Sequence, residues 1–224
     1  MLGSWFPSSR DRFTGADFEF LSERLAPGEG RRHLWTLWED PEALREMLDL
    51  KEVFRGLLEG TGALRVSPYF YFYVLVRHAF LDAGIEDAGV ADYVAGVMSD
   101  RVGADPDDAL KSIPNGLVHA ADFVSIMENA RGRLLFHLQL AAGNQFLVLT
   151  GLFPGFLRRR AERYGAPGVD FYESFARRVF KDVADNSSAP RDTPRAVLNQ
   201  LAECLPEARR SLNKVAEDYV FLGD

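Results

Sequence analysis

The chain has 224 residues, 47% of them hydrophobic and 26% charged, with a formal net charge of −7. That composition supplies enough apolar side chains for a sizeable core and excludes a disordered chain. The acidic balance argues against a protein whose main task is to hold nucleic acid, and the single cysteine, Cys204, excludes an intrachain disulfide.

Residues 1–13 read as an irregular arm with apolar anchors at Trp5, Phe6 and Phe13. Thr14-Gly-Ala-Asp17 is a capping box with Asp in the usual place of Glu. Phe18, Leu21 and Leu25 follow on one helical face until Pro27-Gly28, and His33–Trp38 adds an apolar turn. Asp40-Pro41 is a strong helix start, because Asp caps the free amides and Pro at the first position loses no needed hydrogen bond. A further helical piece carries Val53, Phe54, Leu57 and Leu58 and stops at Gly60 or Gly62.

Ser67-Pro68 repeats the cap-plus-proline device before the run Tyr69–Val76. Aromatic and β-branched residues favour strands, but the Ser-Pro start and the continuation through Leu81 predict a helix ending near Gly84. Asp87–Met98 has Val90, Tyr93, Val94 and Val97 at helical spacing. Asp105-Pro106 is a third Asp-Pro start. Residues 117–150 read as one long helix or two joined near Gly132. Pro154 opens a helix through Arg163, Asp170 caps the next, and Glu173 and Arg177 are placed for an i,i+4 pair. Thr193-Pro194 opens another helix, and Pro206 begins the last. The reading is all-α: a single compact domain over residues 1–224, a bundle of about nine or ten helices around a buried central one.

That central helix comes from Leu134–Leu157, which contains no Asp, Glu, Lys or Arg. Its length would span a bilayer. His137, Gln139, Asn144, Gln145, Thr150, three glycines and Pro154 argue instead for a core helix, since polar groups are costly in hydrocarbon. The first residues lack the basic-then-apolar pattern of a secretory signal, so the expected location is cytoplasmic. The excess of arginine over lysine suggests a GC-rich bacterial source.

No catalytic, metal or cofactor motif is present. The four histidines form neither HExxH nor ExxH pairs, and the even spacing of His119, Glu128 and His137 turns a helix by about 180° per step, so these cannot share a metal. Gly-x-Ser-x-Gly, Walker A and Gly-x-Gly-x-x-Gly patterns are absent. Arg158–Arg160 and Arg163, with Arg177–Lys181, form the basic stretches, which read as solvated helix faces.

A narrow polar stripe is the informative feature. Asn129, Arg133, His137 and Asn144 fall within about 80° on a helical wheel. Facing solvent, forming a structural network and lining a ligand pocket are the three readings of it. Arg77 and His78, which interrupt the apolar run 69–81, become partners for the stripe if the two helices pack together. The six residues would then suit an anionic or polar small ligand.

Three segments carry a family resemblance: YFYVLVRHAFLDAGIEDAGVADYVAGVM at 71–98, FLVLTGLFPGFLRRR at 146–160 and VDFYESFARRVFKDVA at 169–184. Together they resemble an uncharacterised family of bacterial all-helical proteins with no established function. The resemblance implies a bacterial helical domain and supplies no site residues.

Two functional readings follow. The first is a non-enzymatic binding protein that associates with itself as a homodimer or with another protein, with the arm Trp5–Phe13 as the docking element. The alternative is a small-molecule-binding protein or enzyme with a polar interhelical pocket at Arg77, His78, Asn129, Arg133, His137 and Asn144. Neither requires a cofactor, and the acidic net charge argues against nucleic acid as a partner.

Overall fold

The computed structural model describes residues 6–26, 30–59, 62–102 and 120–219. They form twelve α-helices, and no strand occurs among the described residues. A 3-10 turn at Arg10–Arg12 precedes α1 (Gly15–Leu25), α2 (Arg31–Glu39), α3 (Pro41–Leu48), α4 (Lys51–Leu58) and the short α5 (Gly62–Arg65). The long elements are α6 (Pro68–Asp82), α7 (Ala88–Val102), α8 (Ala120–Asn129), α9 (Gly132–Leu152), α10 (Pro154–Tyr164), α11 (Val169–Asp185) and α12 (Arg195–Tyr219). The count exceeds nine or ten mainly because short helices divide residues 31–65. Residues 103–119, with the Asp105-Pro106 start and His119, lie outside the described residues, as does Trp5.

The local signals act as their chemistry requires. Asp40 Oδ1 accepts from the amides of Glu42 and Ala43, and Ser67 Oγ accepts from Phe70, so the aromatic run is helical. Thr14 and Asp17 form the capping box. Helix α6 ends with Gly84 at φ +77° and the Ile85 amide donating to Phe80 O at 2.8 Å, a Schellman closure whose left-handed residue favours glycine.

Three expectations change. Asn129 and Arg133 belong to different helices, because the chain breaks at Ala130–Arg131 and Gly132 takes φ +57°. Pro206 sits inside α12 instead of starting a helix. Its missing amide costs one hydrogen bond, offset by an unbroken buried stripe through Leu198, Leu201, Leu205, Ala208, Leu212 and Val215. The N-cap of α11 is Gly168, with Asp170 in the first turn, and Glu173 pairs across to Arg209 on α12, leaving Arg177 exposed.

Helices α9, α11 and α12 pack mutually, and α12 also crosses α6 and α7. The backbones approach closely where glycine permits it. A Cβ at Gly143 would lie 2.9 Å from the Phe180 ring, and one at Gly151 would lie 2.9 Å from Leu212. The C-terminal half of α9 is buried from Gln145 to Leu152, while Arg133 and Leu134 at its start are exposed. Among the described residues no single helix is long and apolar enough to cross a membrane; α9 and α10 together pass on length and composition but meet at 92°.

The N-terminal arm lies on its own chain. Phe6 is buried and meets Phe136 edge-on, and Phe13 sits among Trp38, Phe70 and Tyr73. Gly96 makes room for Pro7, since a Cβ there would lie 2.9 Å from it. The described part of the arm is therefore packed on its own chain, which counts against it as a free docking element.

Candidate functional site

The stripe and the α6 pair do not converge. Asn129 is exposed, and among the described residues its amide reaches only Ser125 O, at 3.4 Å. Arg133 is exposed, and His137 is half-buried with its ring edge-on to Phe136. Asn144 is half-buried and accepts from Tyr93 Oη at 2.7 Å, tying α9 to α7. Burial raises the pKa of the Tyr93 phenol, which therefore stays a donor to Asn144. The wheel relating Asn129 to the other three fails because the helix breaks between them.

Arg77 and His78 face another way. The Arg77 guanidinium is 5% exposed and forms a bidentate pair with Asp49, Nε to Oδ1 and Nη2 to Oδ2, both at 2.7 Å. Nη1 donates to Glu86 O, also at 2.7 Å. This is the strongest class of side-chain pairing, and it ties the end of α3 to the α6–α7 turn. His78 Nε2 lies 3.0 Å from Leu48 O, so this nitrogen carries the proton in the neutral ring, which stacks on Phe54. Burial lowers the His78 pKa, against the favourable Leu48 carbonyl and the Asp49 charge.

Beside Arg77 lies a polar cell that the sequence reading missed. Tyr73, one helical turn before Arg77, is fully buried, and its hydroxyl has no hydrogen-bond partner among the described residues. Burial pushes its pKa up to about 12, with the charges of Arg10, Arg77, Asp92 and Asp49 around it. Asp92 on α7 is 7% exposed. Its Oδ1 accepts from Ser9 N at 3.1 Å, Ser9 Oγ at 2.9 Å and Arg10 N at 2.9 Å. Arg10 Nε is buried and ion-paired to that same oxygen at 3.5 Å, with no hydrogen bond to a described residue, while its guanidinium carbon sits 5.9 Å from the Tyr73 ring centre. A signal for Asp92 exists in hindsight: it is a lone acid in the run Gly-Val-Ala-Asp-Tyr-Val-Ala, where the apolar neighbours are buried all round.

This cell backs onto an open groove of about 560 Å³, lined by Arg10 from the arm, Pro41, Glu42 and Arg45 from α3, and the segment Glu86–Gly89 where α7 begins. Two helix starts, those of α3 and α7, thus meet a cation from the arm, and helix N-termini carry partial positive charge. Of the six residues proposed from sequence none lines this groove, but Arg77 holds the backbone of Glu86 in its wall. A smaller cavity of about 250 Å³ includes Asn144 with Arg12, Asp100 and Arg101.

Other reactive groups are turned to structure. Burial raises the Cys204 thiol to about 11, which leaves it protonated and unreactive at neutral pH. Among the described residues no three His, Cys, Asp or Glu side chains are grouped to hold a metal ion. No protein-family model, curated protein or solved structure matches the chain.

Proposed function

We propose that this protein binds a small polar ligand in the groove between the N-terminal arm, α3 and the start of α7. The observation that carries the reading is Arg10. Its side chain lines the groove, and its Nε is buried and ion-paired to Asp92 Oδ1 at 3.5 Å, with no hydrogen bond to a described residue. A cation held by Asp92 beside the starts of two helices supports a polar ligand in the groove. The volume falls in the range of about 300–1,000 Å³ that suits small molecules. The wall is held from behind by Arg77–Asp49 and by Asp92, which supports a preformed site. A cytoplasmic setting, where thiols remain reduced, agrees with the lone Cys204.

Thermal-shift screening of the whole chain with small polar and charged compounds tests this. A binder is expected to raise Tm in the wild type and to lose that effect in Arg10→Gln and Arg45→Glu. Stabilisation that survives both substitutions places the ligand elsewhere and overturns the reading.

A second reading, association with itself or another protein, is favoured by Tyr164 and Phe171, which are 77% and 47% exposed around the α10–α11 turn. Large exposed aromatics are common interface anchors. Light scattering across a concentration series checks it: a mass that doubles with concentration and reverts in Tyr164→Ser supports it, whereas a constant monomer mass removes homodimerisation.

A further inference from the structure

We propose a second binding site, for a small primary amine with an apolar body, in the cavity between α4, α6 and α12. This cavity shares no lining residue with the groove at the arm. Its volume is about 190 Å³. A cavity of about 150 Å³ already accepts benzene, so this one holds one ring or a short aliphatic chain. Phe54 of α4, Leu75 and Ala79 of α6, and Val215 and Tyr219 of α12 make the apolar lining. Phe54 is fixed there, stacked on His78 at 4.7 Å and met edge-on by Tyr219 at 6.0 Å.

Polar groups gather at one end of the cavity. Tyr71, near the start of α6, donates to Tyr219 O at the end of α12 at 3.0 Å. Both helices line the cavity as they lead away from that contact, so Asp82 on α6 and Ser211 on α12 fall together at the far end. Ser211 is only 5% exposed, lines the cavity and makes no hydrogen bond with a described residue. A hydroxyl buried in that way calls for a partner inside the cavity. Asp82 is exposed at the rim and enters no ion pair or hydrogen bond with a described residue. It is the last residue of α6, where the helix end carries partial negative charge. The other two charges on the lining, Lys214 and Asp218, stand one turn apart on α12 and offset each other. An ammonium group has three hydrogens to donate, enough for Asp82 and the Ser211 hydroxyl, while its apolar body lies against Phe54 and Leu75. A carboxylate at this end would meet Asp82 and the negative helix end, and a neutral alcohol would gain little from either.

Calorimetric titration of the full chain with 2-phenylethylamine, 2-phenylethanol and 3-phenylpropionate tests the site. The amine is expected to bind about tenfold or more tightly than the alcohol, with the acid weakest. Asp82→Asn should bring the amine down to the level of the alcohol, and Ser211→Ala should weaken it severalfold. Ala79→Leu, which fills the cavity from α6, should abolish binding of amine and alcohol alike. Arg10→Gln should leave all three affinities unchanged, which separates this site from the groove. Asp82 is exposed, so Asp82→Asn keeps the wild-type Tm and decides the matter even where Ala79→Leu unfolds the chain. An acid that binds as tightly as the amine overturns the amine class. Binding of none of the three, or amine binding that is indifferent to Asp82→Asn or lost in Arg10→Gln, overturns the site.

Discussion

Ser9 and Asp92 stand 83 positions apart and are joined by hydrogen bonds from both the Ser9 amide and its hydroxyl to one carboxylate oxygen, at 3.1 and 2.9 Å. The Arg10 amide adds a third at 2.9 Å. One buried acid thereby fixes the arm, where it enters its 3-10 turn, as a wall of the groove.

Removing that acid should free the arm. Asp92→Ala leaves the Ser9 and Arg10 amides without their acceptor, at a cost of about 1–3 kcal/mol for each one that stays buried. The expected outcome is a lower midpoint in urea denaturation and rapid tryptic cleavage at Arg10 and Arg12. Gly96→Ala should produce the same cleavage with the carboxylate intact, because its Cβ would press on the backbone of Pro7 and Ser8 at 3.0 and 3.1 Å. Cleavage unchanged in both variants would show that the arm is held by other contacts.

The Arg77–Asp49 pair should be strongly coupled. Arg77→Met strands Asp49, whose side chain is 27% exposed, and removes the donor to Glu86 O. A loss of about 3 kcal/mol is expected, the lower end for breaking a buried pair because Asp49 retains some solvent. Asp49→Asn in the Arg77→Met background should then cost little. A double-mutant cycle by chemical denaturation measures this, and additive losses contradict the coupling.

Acid should destabilise the fold through His78. Its folded pKa lies below the ordinary 6.5, so the unfolded chain binds the proton more readily. The stability contributed by the neutral ring is present above the unfolded value and is lost as pH falls from about 6.5 toward the lower folded value, with a slope of up to about 1.4 kcal/mol per pH unit. Comparison of Tm between pH 7.5 and 5 in the wild type and His78→Gln isolates this from the carboxylates. The variant should lose less stability over that interval; parallel curves would exclude the histidine as the cause.

The contact of α9 with α11 should not tolerate a methyl group. Gly143→Ala places Cβ against the fully buried Phe180 ring, and overpacking of this kind costs about 1–3 kcal/mol. Alanine favours helix over glycine by about 1 kcal/mol, so the measured loss should fall at the lower end. Phe180→Leu in the same chain should recover part of it.

Much of the architecture is written in local chemistry. The caps at Asp40-Pro41 and Ser67-Pro68, the Thr14–Asp17 box and the glycine stop at Gly84 depend only on residues a few positions away, so they were legible before any packing was known. The all-helical class and the extent of α6 follow from them, whereas α7 runs on past Met98 to Val102. The break at Ala130–Gly132 was legible as an alternative, and that alternative dissolves the polar stripe, because one left-handed residue rotates everything beyond it. Pro206 shows the limit of a local rule: a proline that should begin a helix is carried inside one by the packing on both sides.

The partners of the charged side chains were decided by tertiary structure alone. Arg77 stood out as a charge in an apolar run, but its answer, Asp49, is 28 residues away across a helix end. Arg10 and Tyr73 look unremarkable on their own segments, and Asp92 stands out only as a lone acid in an apolar run. They become a site only when the arm crosses α6 and α7, because burial sets the cost of an unpaired polar group and burial belongs to the fold as a whole. The sequence determined the helices and most of their ends; the crossing of those helices decided which polar atoms are satisfied, which are left waiting, and where the groove opens.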